Sequence, residues 1–213
     1  MRAVDKSGLA PITRRCAVLA QTPDGPLLMR CMAMPGDTFE LRDGEVMIDG
    51  RGNCETPYAL ASYKLLKDVP YASRRHIAQE AGVSMEQADT LVRLNPASRS
   101  AQWGRATYAP LRPNEQDQRI FPWDVAYQWN AYQMGPFRLP RHGDRIPLDF
   151  ANVKLYGPLV RRWEGKTLEV TPMGSHTFAE DYVMCLCDDR DVINDSRLYG
   201  PLPKRLLRRV VDE

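Results

Sequence analysis

Histidine is scarce, with three residues scattered at His76, His142 and His176, and the chain contains no Cys-x-x-Cys pair. A zinc centre needs nitrogen and sulfur ligands at short, fixed spacings. Neither a metal nor another cofactor is therefore expected. The five cysteines, Cys16, Cys31, Cys54, Cys185 and Cys187, are odd in number and irregularly spaced. Cys185 and Cys187 would share one side of a strand, where small buried thiols are the ordinary explanation. No run approaches the roughly 20 apolar residues that a membrane span needs. The segment "MRAVDKSGLAPITRR" has no apolar stretch for a secretory signal. Charge of one sign is also missing: 29 basic and 27 acidic residues leave a net +2, so the basic tail "PKRLLRRVVDE" is local and nucleic acid is not an expected partner. The sequence as written reads as soluble, with no membrane span and no export address.

Hydrophobic residues make up 43% of the 213, enough for a sizeable core in one domain, or in one domain with an insertion. "RRCAVLAQTPDGPLLMRCMAM" places two apolar runs around Thr22-Pro23-Asp24-Gly25, which predicts strands near 15–21 and 26–33. "TFELRDGEVMIDG" predicts a second hairpin turning at Asp43-Gly44. Two helical patterns follow in "SRRHIAQEAGVSMEQADTLVRLN", one ending at Gly82 and one starting at Ser84 with Gln87 as capping partner. From 95 to 147 the chain is rich in Pro, Gln and aromatics, which predicts long packed loops with short strands. A helix is expected at 151–164, closed by Gly165, and then strands at "KTLEV" and "DYVMCLC". The expectation is a mainly β (α+β) fold, with a core from 1–50 and 148–213 and an insertion at 51–147 carrying a helical hairpin and loops.

Within "HIAQEAGVSMEQADTLV", Ala78, Gly82 and Val92 stand where a helix-turn-helix has its small, turn and core residues. The second helix would offer Met85, Glu86, Gln87, Asp89 and Thr90, and two carboxylates facing a polyanion are unfavourable. A structural hairpin is the favoured reading, with DNA binding the lesser alternative.

"RCMAMPGDTFELRDGEVMIDG" and "DYVMCLCDDRDVINDSRLYGPLP" are more specific. Together they resemble the two most diagnostic boxes of the bacterial type I signal peptidases, membrane-anchored serine/lysine proteases that remove signal peptides from exported proteins. Arg30, Pro35, Gly36, Asp37, Asp188, Arg190, Asp195, Ser196, Arg197 and Gly200 stand in matching places. With "APITRRCAVLAQTPDG" and "IFPWDVAYQWNAYQMGPFRLPRHGDRIPL", the likeness covers 14–50 and 119–210. It implies a signal-peptidase-like antiparallel β core, and a location at the periplasmic face of the cytoplasmic membrane.

The same alignment shows departures. The lysine general base of the family falls on Met29, and a thioether accepts no proton near neutral pH. The serine that would hydrogen-bond that lysine is Ile193, and the opening glycine of the late box is Cys187. These three would convert a polar pocket into an apolar cluster. The family's nucleophile box has no counterpart; Ser7, with Pro11 four residues on, reads as an N-terminal residue rather than a displaced nucleophile. The resemblance further implies that Arg30, Asp188, Asp195 and Arg197 form ion pairs tying the late box to the early strand, and that Pro35-Gly36-Asp37 is a turn with Gly36 at positive φ. The expectation is a proteolytically inactive relative that keeps a scaffold for an extended peptide or a partner protein. The alternative is an active peptidase whose anchor and serine lie upstream of this sequence, with a substitute base such as Lys6.

Overall fold

The structure, a computed structural model, describes residues 2–4, 11–52, 54–65, 69–88, 92–98, 108–110 and 116–212. The strands in chain order are β1 (Arg2–Val4), β2 (Ala17–Thr22), β3 (Gly25–Ala33), β4 (Thr38–Arg42), β5 (Glu45–Ile48), β6 (Ala61–Leu65), β7 (Val92–Leu94), β8 (Tyr108–Pro110), β9 (Met134–Arg138), β10 (Arg145–Pro147), β11 (Ser175–Thr177), β12 (Tyr182–Leu186), β13 (Leu202–Pro203) and β14 (Leu207–Asp212). The helices are α1 (Tyr71–Ala81), α2 (Met85–Ala88), α3 (Pro96–Ser98), α4 (Phe150–Glu164) and α5 (Ser196–Tyr199). The fold is mainly β with antiparallel sheets, and among the described residues only α1 and α4 exceed a single short turn.

A six-stranded sheet runs β1-β14-β2-β3-β12-β13, and a three-stranded sheet runs β5-β4-β9. Local chemistry makes the two early hairpins. Thr22 Oγ1 donates to the Gly25 carbonyl at 2.7 Å and closes the β2–β3 turn. In the β4–β5 turn Asp43 and Gly44 both have positive φ, 51° and 81°, the mirror-image turn whose twist matches its strands. Side chains then alternate across the large sheet. Met29, Cys31, Val183 and Cys185 enter one core cluster, with Val18, Tyr199, Leu202 and Leu207. Met32, Met184 and Leu186 enter the other, with Phe39, Phe121, Phe137 and Phe178.

Helix α4 covers the second cluster. Tyr156, Leu159 and Val160 are buried at the i, i+3, i+4 spacing of one helical face, each contributing about 1.5–3 kcal/mol. The Asp149 side chain accepts from Asn152 N–H at 2.8 Å at its start, and Gly165 ends it with a left-handed residue, φ 66°.

The predicted strand at 166–170 is not formed. Lys166, Thr167, Glu169 and Val170 are exposed and only Leu168 packs on the core, so apolar alternation there has no neighbouring strand to pair with. The chain returns to a sheet instead at β11, which pairs with β10, and at β12.

Of the predicted helical hairpin both helices form, and what is corrected is the extent of the second. After α1 ends at Gly82, α2 makes one turn, and Val92 lies in strand β7, paired with β6. Ile77 and Ala78 of α1 cover a third sheet, β7-β6-β8, with Ala61, Tyr63, Val92 and Leu94. Asp89 and Thr90 lie outside the described residues, as do Lys6 and Ser7. Within 51–147, residues 61–94 thus supply a small separate core. Ile120, Phe121, Met134, Phe137 and Leu139 belong to the main one.

Candidate functional site

Strands β3 and β12 pair with Cys31 opposite Cys185 and Arg30 opposite Leu186, which carries Cys187 to the level of Met29. Met29 is 3% exposed, and Cys187 packs on the same cluster. Ile193 does not join them: it packs on the cluster of the opposite face. The expected three-residue pocket is therefore two residues, Met29 and Cys187. The chain turns sharply after Cys187, and 188–194 carries Ile193 to the other side of the sheet.

The chemistry of this pocket is that of sulfur and hydrocarbon. Burial pushes the Cys187 thiol up to about 11, helped by the nearby Asp195 carboxylate. A hydrogen bond with Cys31, together with burial, raises Cys185 well above the ordinary thiol value. Both are thiols at neutral pH and neither is a proton acceptor or nucleophile. Ser196 is fully buried, and its Oγ accepts from Cys185 N–H at 3.0 Å. No lysine is buried among the described residues. The one buried histidine, His176, sits against Phe178 and 3.2 Å from Glu164.

Around this pocket stand the ion pairs. Arg30 grips Asp188 with two bonds, Nε–Oδ1 at 2.7 Å and Nη2–Oδ2 at 2.6 Å, and its Nη1 donates to the Arg15 carbonyl. The Tyr58 ring stacks at 4.7 Å from the guanidinium carbon. These bonds to the Asp188 carboxylate hold the Arg30 pKa up against burial. Arg30 is thus an anchor between β3 and the segment after β12.

Asp195 and Arg197 pair with each other, at 2.8 Å, with side chains 0% and 1% exposed. They do not reach the early strand. Asp195 Oδ2 instead accepts from Cys187 N–H, and Arg197 donates to the carbonyls of Ala131, Arg190 and Val192. Burial, the largest single effect, would lower the Arg197 pKa; the Asp195 charge and its hydrogen bonds, with smaller help from Cys187 and Tyr132, together turn the net into a rise. The pair rigidifies the box, because its members are only two residues apart, and the bond to the Ala131 carbonyl ties the box to a remote loop.

Gly36 has φ 90°, and its N–H donates to the Leu139 carbonyl at 2.7 Å, next to Pro35. Asp37 accepts from Met34 N–H at 2.7 Å and from Arg14 Nε and Nη2 at 2.8 and 2.5 Å.

Sequence reasoning gave Asp188 a partner on the early strand but missed the roles of Asp189, Arg190 and Asp191 in the same run. Each residue holds a different part of the chain. Asp188 holds Arg30; Asp189 meets Arg93 at 2.7 Å; Arg190 meets Glu55 at 2.6 Å. Asp191 accepts from Ser62 Oγ at 2.5 Å and from Tyr132 OH at 2.9 Å. Burial works to raise the Asp191 pKa, but these donors and Arg93 lower it overall. Backbone bonds from Leu60 N–H to the Asp188 carbonyl and from Arg190 N–H to the Leu60 carbonyl complete the junction. Four successive charges in a chain with little net charge were the available signal. The partners of the last three are remote in sequence and left no trace there.

Neither a family model, nor a curated protein, nor a solved structure gives a significant match to this chain. Among the described residues no helix is long and apolar enough to cross a membrane, and no group of three His, Cys, Asp or Glu could hold a metal ion.

Proposed function

We propose that this chain is a signal-peptidase-like protein that does not hydrolyse peptide bonds and uses its antiparallel scaffold to hold an extended peptide. The observation that carries the reading is Met29, buried at the level of Cys187 among thiols and hydrocarbon. Proton transfer from a serine needs an acceptor of suitable pKa within hydrogen-bond reach. A thioether is not one, and the thiols beside it hold their protons. Ser196 cannot substitute as nucleophile, since it is enclosed and already bonded to the backbone of β12.

Peptide capture rests on different physics. An added strand gains main-chain hydrogen bonds from a sheet edge and needs no catalytic group. Among the described residues the sheets are open, so each ends in edge strands, β9 among them. Incubation with a preprotein carrying a cleavable signal peptide tests the reading. Binding without any cleaved product is expected. A product that survives removal of contaminating peptidases and vanishes in Ser196→Ala would refute it.

A further inference from the structure

On the outer side of α4 a cleft of about 580 Å³ opens between Trp123, Val153, Pro158 and Leu168, with Arg161 and Arg162 at its rim. From this geometry we infer a binding site for a small amphiphilic anion: a carboxylate held by the two arginines, with an aliphatic or aromatic body against Trp123 and Leu168. The volume suits a compact organic ligand, and the site is independent of the Met29 pocket and of the peptide-binding reading.

Three observations support it. First, the Trp123 wall is held at a cost. Trp123 has φ 61°, a left-handed conformation that bulky side chains rarely adopt. Its indole Nε1 donates to the carbonyls of Arg119 and Leu198, both at 3.1 Å, which fixes the ring edge-on to Phe121.

Second, the cation is preorganised. The Arg162 guanidinium lies 4.3 Å from the Trp123 ring centre, and Nη1 donates to the Tyr199 carbonyl at 3.1 Å. Among the described residues no carboxylate comes within ion-pair distance of Arg161 or Arg162. Partial burial draws the Arg162 pKa down, and Asp24 and Tyr199 only partly oppose this. Arg162 lines the cleft with donors beyond the one that Tyr199 takes, and an anion there would complete the coordination.

Third, the floor of the cleft is kept open. At Gly157 an added Cβ would meet nothing closer than Val153 Cγ1 at 3.9 Å, so helix packing does not demand the glycine. A glycine in a helix interior costs roughly 1 kcal/mol relative to alanine. At this position its effect is to leave room between Trp123 and Leu168.

Calorimetric titration of the full chain with sodium octanoate tests the site, with acetate as the charge without the tail and 1-octanol as the tail without the charge. Octanoate should bind at one site at least about tenfold more tightly than either control, because both halves of the ligand are recognised. Arg161→Gln, at an exposed position, should weaken octanoate about fivefold or more with no change in thermal unfolding. Gly157→Leu should fill the cleft and abolish binding while the fold is retained, as circular dichroism would show. Octanol binding as tightly as octanoate would reduce the site to a greasy surface and overturn the proposal. So would acetate matching octanoate, or wild-type affinity in both variants.

Discussion

Arg190 and Glu55 stand 135 positions apart and meet in an ion pair of 2.6 Å, with side chains 2% and 0% exposed. The same Arg190 guanidinium donates through Nη1 to the Cys187 carbonyl, and Glu55 Oε1 accepts from Val46 N–H at 3.2 Å. One bond network therefore joins β5, the start of the 51–147 stretch and the strand end beside Met29. Charges this deep are tolerated only because each is paired and hydrogen-bonded.

Removing one partner leaves the other buried and unpaired. Glu55→Ala should destabilise the protein by about 3–5 kcal/mol. Arg190→Met combined with Glu55→Leu should cost less than the two single changes added together. Urea denaturation of the wild type, Glu55→Ala, the two single variants of the cycle and the double variant measures both, and strict additivity would show that the pair is not coupled.

Local chemistry was readable, and long-range pairing was readable only where two boxes could be aligned. Asp43-Gly44 and Thr22-Pro23-Asp24-Gly25 announced their hairpins, because a turn is specified by the residues inside it. Gly82 and Gly165 ended helices where expected, for the same reason. The pattern at 166–170 misled, since alternation signals a strand only where another strand is free to bond it. The one-turn α2 followed by β7 misled likewise: the edge offered by β6 took Val92 into a sheet, against its helical spacing. Within the site, Met29 and Cys187 could be set side by side by aligning two boxes. Ile193 could not, because which face a loop residue reaches depends on how the loop turns. Glu55 was invisible as the partner of Arg190 until the chain was folded.

Thiol reactivity should rank with burial. Cys31 and Cys185 are fully enclosed, whereas Cys16, Cys54 and Cys187 are half-buried. Burial raises the pKa of Cys16 and Cys54 as well as that of Cys187. At pH 8 only about one Cys187 in a thousand is a thiolate. Labelling with an aromatic disulfide reagent should be slow at those three, and should reach Cys31 and Cys185 only as the protein unfolds. Prompt labelling of Cys187 at pH 7 would reveal a thiolate and a more polar pocket.

Acid should loosen the α4 end of the core through His176. Its ring is enclosed against Phe178, and burial lowers its pKa although Glu164 pulls the other way and Lys166 adds to the fall. Glu164 is itself engaged by Tyr182 OH at 3.0 Å and Ala179 N–H at 3.2 Å. With the folded pKa below the ordinary value of 6.5, the unfolded chain takes up the proton first. The stability is present above pH 6.5 and is lost as pH falls through the folded value. Unfolding midpoints between pH 7.5 and 5 should therefore drop in the wild type, and drop less in His176→Gln. Equal slopes would assign the acid sensitivity elsewhere.

Placing an amine at position 29 gives the sharpest separation of scaffold from chemistry. Met29→Lys places an ammonium among the apolar side chains of Val18, Cys31, Cys185 and Leu207. Desolvation should depress its pKa and destabilise the fold by about 4 kcal/mol at pH 7. Because the folded pKa then lies below the unfolded value of about 10.4, the deficit should shrink as pH rises towards that value. Paired urea curves of wild type and variant at pH 6, 8 and 10 read this directly, and a difference independent of pH would place residue 29 in contact with water. The variant should still cleave no preprotein, since an amine can remove a proton only from a hydroxyl within reach, and the Ser196 hydroxyl is enclosed behind β12.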